Sequence, residues 1–544
     1  MAGFDVVLRG GRVVDPESGL DAVRDVAIAG DRVARIGPGL PPGRLELDVS
    51  GQVVTAGFID IHSHAYDLGS LRLQAMDGVT TALELEAGTT PVAAAYEEAA
   101  RDGRPVNYGF AASWAMARME ALAGVRLDGG LAVLFRHIAD PGWQRAAAPA
   151  EADRVLARLE ADLADGALGI GILAGYAPGA DPAEYLRVAA LAARAGAPTF
   201  THSRDLAEFT PRSLVDGAEE IVRAAGETGA HMHYCHVNGT TLRHADRVLS
   251  LVERAQRAGS RITTEAYPYG AGMTGIGAAF LAPERLAERG LAPSDLTYAP
   301  TGERVAGAAR LRELRATDPA GLTIIRHLDD DDPADRELLL RYILFPGTVV
   351  ASDAMPLTWS QAAPAGTAPD PGAWPLPPSA FTHPRTAGTF GRSLRLLTRD
   401  GGQLELAGAL AKCSLDPARL LEGHVPAMRR KGRVAEGADA DIVVFDPATI
   451  TDQATYSAST RPTTGIRHVL VNGTFVVRDA QLARDARPGR PVRAARDSRT
   501  RLGELARPRA PQHVASCAGR RAPAYWPRFP VWQPGSVAVT RPAR

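Results

Sequence analysis

Short apolar runs open the chain, alternating with polar positions and broken by glycine or proline. "DVVLRGGRVVD", "DVAIAGDRVARIG" and "LELDVSGQVVTAG" read as β-strands on this period of two. The same texture returns late, in "GRVAEGADADIVVFDP" and "IRHVLVNGTFVVRDAQL". One β-rich unit built from both ends therefore brackets the rest. Its expected bounds are 1–56 and 413–496.

Between them, short apolar strands alternate with Ala-, Arg- and Glu-rich helical stretches. "GALGIGILA" precedes "DPAEYLRVAALAARAG", "PTFTH" precedes "EEIVRAAGETG", and "AHMHYCHVN" precedes "DRVLSLVERAQRAG". This rhythm predicts a parallel sheet. The span 57–412 suits a (β/α)8 barrel with insertions, and a doubly wound open sheet is the alternative. Two stretches break the rhythm, 271–345 and the Pro- and Ala-rich 357–382, and both read as insertions over the barrel mouth. The Arg- and Pro-rich stretch 497–544 reads as a tail.

Composition narrows the function classes. A net charge of −1 provides no field for nucleic acid or an anionic membrane. No apolar run is long enough to span a bilayer, and the first residues lack a signal-peptide pattern, so a cytoplasmic location is expected. Cys235, Cys413 and Cys517 have no disulfide or zinc-knuckle spacing.

Several expected strands close on a side chain that binds metals. "GFIDIHSH" ends in His62 and His64, two apart and so on one strand face. "GVTTALELEAG" places Glu84 and Glu86 on one face of an apolar strand, costly unless paired or metal-bound. "APTFTHSRD" supplies His202, "HMHYCHVNGT" His236 and "GTVVASDAMP" Asp353. His231 and His233 share the face of Cys235, opposite His236 if pairing is regular, and are left out. Cys235 reads as a small buried hydrophobe. "HLDDDDPADRE" reads as a solvated loop without calcium-loop spacing.

This ordered pattern resembles the amidohydrolase superfamily, and more narrowly the D-aminoacylase (N-acyl-D-amino-acid deacylase) family. The resemblance is carried by "GFIDIHSH", "FTHSRD", "YCHVN", "EAYPYGAGMT", "SDAMP", "THPRTAGTFGR" and the segment from "RKGRVAEGADADIVVFDP" on. It implies a (β/α)8 barrel with a small β-sandwich and zinc, one or two ions per chain. His62, His64, His202 and His236 would be ligands and Asp353 the proton shuttle. The implied reaction is hydrolysis of an N-acyl-D-amino acid, a small-molecule substrate, at its amide bond; oligomeric state stays open.

The chain also departs from the family pattern. Well-known members place a cysteine ligand on the second barrel strand, and none is there. Other superfamily branches use a carboxylated lysine, but Lys412 and Lys431, the two lysines present, fall beyond the ligand-bearing strands. Glu86 is favoured in that place because it lies nearer the strand end, with Glu84 the alternative. Arg385 matches a position that receives the substrate carboxylate, which suits a guanidinium fork. Tyr267 and Tyr269 are candidates for the pocket wall. Asn238 stands where the family often has a lysine assisting with that carboxylate. The competing readings are a hydantoinase- or dihydroorotase-like hydrolase of cyclic amides, a dipeptidase, and a metal-binding homologue without activity.

Overall fold

The computed structural model describes residues 3–128, 130–210, 215–359, 370 and 372–495. The whole tail from 497, with Cys517, lies outside the described residues, as does much of the 357–382 stretch. Among the described residues no helix is long and apolar enough to cross a membrane.

Eight strands form a parallel barrel: β1 (Phe58–Asp60), β2 (Val79–Thr89), β3 (Asn107–Ser113), β4 (Ile170–Leu173), β5 (Pro198–His202), β6 (His231–Tyr234), β7 (Ile262–Ala266) and β8 (Thr348–Val350), each paired with the next. Just past the strand ends, Ser63 bridges to Ala354, and the His64 N–H donates to the Ala354 carbonyl at 2.8 Å, which closes the ring. The structure thus has the barrel, not the open sheet. Ile59, Ile61, Leu83, Leu85, Phe200, Cys235, Val349 and Ala351 belong to one buried apolar cluster. Small helices such as Pro182–Ala195 are bounded as their sequence dictates: Asp181 accepts the Ala183 N–H, Pro182 opens the helix, and Gly196 closes it at φ 66°.

The chain ends build a nine-stranded sheet. Ile442–Phe445 pairs antiparallel with Val53–Ala56, joining the N-terminal strands to Ile466–Val471 and Thr474–Arg478. Its own apolar cluster holds Val6, Leu8, Val54, Ile442, Val444 and Leu470. The C-terminal strands of this sheet begin at Ile442, and Val434 and Ala440 before them already belong to its apolar cluster. The helix Asp416–Leu421 instead contributes Ala418 and Leu421 to the barrel's apolar cluster.

The stretch between β7 and β8 is also more differentiated than one insertion. Ala271–Gly275, Leu322–Arg326, Leu296–Tyr298 and Glu303–Arg304 form a separate antiparallel sheet. Pro333–Leu344, however, is a regular helix leading into β8. The aspartates before it are its start signal: Asp332 accepts the N–H groups of Ala334 and Asp335.

Candidate metal centre

The polar side chains named from the sequence meet at the mouth of the barrel. His62 is completely buried, and Glu86, His64 and His236 are nearly so. His62 Nε2 lies 3.1 Å from His64 Nε2. Glu86 stands between two pairs of histidines. Its Oε2 is 3.2 Å from His62 Nε2 and 3.5 Å from His64 Nε2, while its Oε1 is 2.6 Å from His236 Nε2 and 3.0 Å from His202 Nδ1. Asp353 Oδ1 approaches His62 and His64 at 3.5 and 3.4 Å. His236 and Asp353 both sit in the left-handed region, at φ 27° and 50°, just past their strands.

Hydrogen-bond chemistry shows what this cluster fits. His64 Nδ1 is 2.7 Å from Glu84 Oε2, and His62 Nδ1 is hydrogen-bonded to Glu265. An ionised carboxylate only accepts, so both Nδ1 atoms carry the proton and both Nε2 atoms present lone pairs. Two lone pairs 3.1 Å apart, facing the oxygens of Glu86 and Asp353, repel one another unless a cation lies between them. Buried imidazole and carboxylate donors at this spacing are the donor set of a divalent metal. Among the described residues, four donor triplets have all their ligand atoms within 4.8 Å of one another; they include His62/His64/Glu86 and Glu86/His202/His236, which share Glu86.

The electrostatics show the carboxylates drawing positive charge into this cluster, a proton on the rings or a metal ion in its place. Burial disfavours a charged His62, but the facing carboxylates of Glu265, Glu86 and Asp353 outweigh it and raise the ring well above the ordinary histidine range. For Glu86, burial is likewise outweighed, by His62, His236 and His202, and the carboxyl lies well below its ordinary range. Burial opposes the Asp353 anion as well, yet the Arg385 guanidinium, with His62 and His64, holds its carboxyl below the usual carboxylate range.

The structure sorts the two candidate glutamates. Pairing of β2 with β3 is irregular between Glu84 and Thr89, and the carboxylates part company there. Glu86 lines the cleft, whereas Glu84 binds the far nitrogen of His64 and lines a second cavity behind it. Neither glutamate has an arginine partner among the ion pairs of the described residues.

The remaining site candidates divide. Arg385 is fully buried and its Nη2 meets Asp353 Oδ2 at 2.8 Å; its Nε donates to the Asp353 carbonyl. Its Nη1 has no hydrogen-bond partner among the described residues. The guanidinium stacks over Tyr267, 4.9 Å from the ring centre, and Tyr267 lines the cleft. Tyr269, Asn238 and Arg385 itself are not among the residues that line the cleft. The Tyr269 ring stacks under Arg392, and the Asn238 amide donates to the Tyr267 carbonyl at 3.2 Å. The Tyr269 hydroxyl and Asn238 Oδ1 have no hydrogen-bond partner among the described residues.

Sequence reasoning missed other residues. Glu265 and His233 lie at the base of the site, because the inward face of β6 is that of His233 and Cys235. His236 reaches the cluster from beyond the strand, where the left-handed turn ends the alternation. Strand parity therefore misplaces His233, which faces Glu265 inside the barrel but belongs to none of the donor triplets of the described residues. Tyr176, Arg289 and His327 also line the cleft, with an apolar wall that includes Leu131, Leu134 and Phe280. The acidic run that holds Asp332 gives no hint of the nearby His327.

Comparison with known proteins places this geometry. A model of the amidohydrolase family matches residues 109–477. N-acyl-D-glutamate deacylase from Alcaligenes xylosoxydans xylosoxydans is 29% identical over 519 residues, covering 90% of this chain and 96% of that protein. D-aminoacylase from the same organism is 29% identical over 504 residues, covering 87% and 94%. The solved structure of N-acyl-D-glutamate deacylase from Bordetella bronchiseptica, complexed with zinc and a phosphonate mimic of the tetrahedral intermediate, aligns with a TM-score of 0.70 at 25% identity. That alignment covers 91% of this chain and 100% of the other. His62, His64 and Glu86 lie before the span matched by the family model and converge with His202, His236 and Asp353 in the structure. The chain belongs to the amidohydrolase family and is a hydrolase of amide C–N bonds.

Proposed function

We propose that the chain removes the acyl group from N-acyl-D-amino acids, using one or two zinc ions held around Glu86. The observation that carries this reading is the convergence of imidazole nitrogens on both sides of that carboxylate. His62 Nε2, His64 Nε2 and Glu86 Oε2, beside Asp353 Oδ1, would hold one ion; Glu86 Oε1, His202 and His236 would hold the second. Zinc suits nitrogen and carboxylate donors, and it is the ion in the Bordetella structure. A bound divalent ion supplies water acidified to a pKa of about 7 and a Lewis acid for the amide carbonyl.

The proton work falls to Asp353. Its Oδ2 is clamped by Arg385 and its Oδ1 faces the histidine pair, so it is oriented and ionised. It takes the proton of the attacking water and returns it to the leaving nitrogen. Arg385, with two nitrogens committed to Asp353, has Nη1 left for a substrate carboxylate. Asn238 adds no charge there, and Arg289, which lines the cleft, is a second guanidinium within the pocket. Tyr267 fixes the guanidinium plane, and the wall of Leu131, Leu134 and Phe280 offers an apolar seat for the substrate.

Substrate chirality rests on the relatives, and it is tested directly. The zinc-loaded protein is expected to release amine from N-acetyl-D-amino acids with kcat/KM on the order of 100-fold above the L series, a gap within the reach of shaped pockets. Release from neither series, with opening of cyclic amides instead, would transfer the chain to the hydantoinase-like reading.

A further inference from the structure

The base of the site contains a carboxylate that the chemistry above does not use. Glu265, at the end of β7, is 1% exposed. It has no arginine or lysine partner among the ion pairs of the described residues. Its Oε1 accepts from His62 Nδ1 and, at 3.1 Å, from the His236 backbone N–H. Its Oε2 lies 3.0 Å from His233 Nε2, and the Cys235 thiol sits close by.

Because this carboxylate only accepts, it fixes the protons around it. His62 carries its proton on Nδ1 and His233 on Nε2. The His233 Nδ1 lone pair must then accept from the Thr263 hydroxyl, 2.8 Å away. The Thr263 oxygen in turn accepts from His231 Nε2 at 3.0 Å. Donation thus runs in one direction from His231, through Thr263 and His233, to Glu265. Reversing a single link would leave two lone pairs facing each other inside the barrel. The same carboxylate holds the backbone of His236 at its positive φ, so it serves one histidine in each half of the site.

We infer that Glu265, backed by His233, is the positioning residue that fixes the tautomer and orientation of His62 and the backbone of His236 for metal binding. This rests on the reading that His62 Nε2 is a metal ligand. In this role Glu265 acts through the His62 ring and the His236 backbone rather than on the substrate. Outer partners of metal-bound histidines commonly contribute 10–100-fold to metal affinity. In a Glu265→Gln variant the amide presents a donor toward one of the two rings. Either His62 moves its proton to Nε2, where it blocks the metal, or His233 loses its bond.

The test titrates zinc-loaded protein with a competing chelator and compares variants, with thermal unfolding of each protein alongside. Glu265→Gln is expected to lose about 10–100-fold in zinc affinity. His233→Phe, which removes only the backing donor, should lose less, and Glu265→Asp should recover part of the loss. A role confined to folding would lower the melting temperature and leave zinc affinity unchanged. Zinc affinity of Glu265→Gln within twofold of wild type overturns the inference. Should that variant fail to fold, wild-type protein with 15N-labelled histidine and bound zinc gives the answer by long-range 1H–15N correlation. A proton on His62 Nδ1 supports the inference, and a proton on Nε2 overturns it. If the wild type binds no zinc at all, the metal reading itself falls, an outcome distinct from normal binding in both proteins.

Discussion

Replacing Asp353 with asparagine is expected to reduce kcat by about 10²–10⁴-fold while bound metal stays near the wild-type level. The side chain is nearly isosteric, so the backbone at φ 50° and the Arg385 contact to the Asp353 carbonyl survive. What disappears is the negative charge that accepts a proton. Asparagine can neither take the proton of the attacking water nor return it to the leaving nitrogen. Metal retention follows because three donors, His62, His64 and Glu86, still converge without Asp353. The checks are steady-state kinetics on an N-acetyl-D-amino acid and elemental analysis of the same preparation. A kcat within tenfold of wild type, with metal bound, would remove Asp353 from the proton path.

Substituting Glu86 should strike the metal itself. Glu86 is shared by the two donor groups, one through each oxygen, and neither group keeps three donors without it unless Asp353 is recruited. In Glu86→Gln one of those oxygens becomes an amide nitrogen directed at histidine lone pairs, and the bridging charge is lost. Zinc affinity is expected to fall by at least about 100-fold, beyond the 10–100-fold typical of an outer partner, and hydrolysis should fall with it. Chelator competition measures the first effect and amine release the second. The same substitution at Glu84 should do less, since that carboxylate meets only the remote nitrogen of His64. Equal losses at the two positions would contradict the division of roles drawn from β2.

Much of the fold was legible because its signals are local. The period-two runs at both chain ends become one sheet, and the βαβα rhythm becomes a closed barrel with His62, His202 and Asp353 at or just past strand ends. What escaped reading depends on where an alternation stops or on partners distant in the chain. Strand β6 ends at Tyr234, so parity carried on to His236 gave the wrong face and discarded His233. Glu265 looks like any acid before "YPY" until the barrel brings it to His62, 203 residues away. Tyr269 and Asn238 carry suitable functional groups, but the fold sets the Tyr269 ring against Arg392 and the Asn238 amide nitrogen on the Tyr267 carbonyl, off the cleft wall. Asp332 and its neighbours marked the start of a helix rather than a free loop, a capping pattern present in the sequence.

The most direct measurement is anomalous diffraction at the zinc edge from crystals of the zinc-loaded protein. At least one strong peak is expected within about 2.0–2.2 Å of His62 Nε2, His64 Nε2 and a Glu86 oxygen. A second peak would lie at the other oxygen, beside His202 and His236. Full amide-hydrolysing activity in protein whose crystals show no anomalous scatterer beside Glu86 would contradict a metal centre built on that carboxylate.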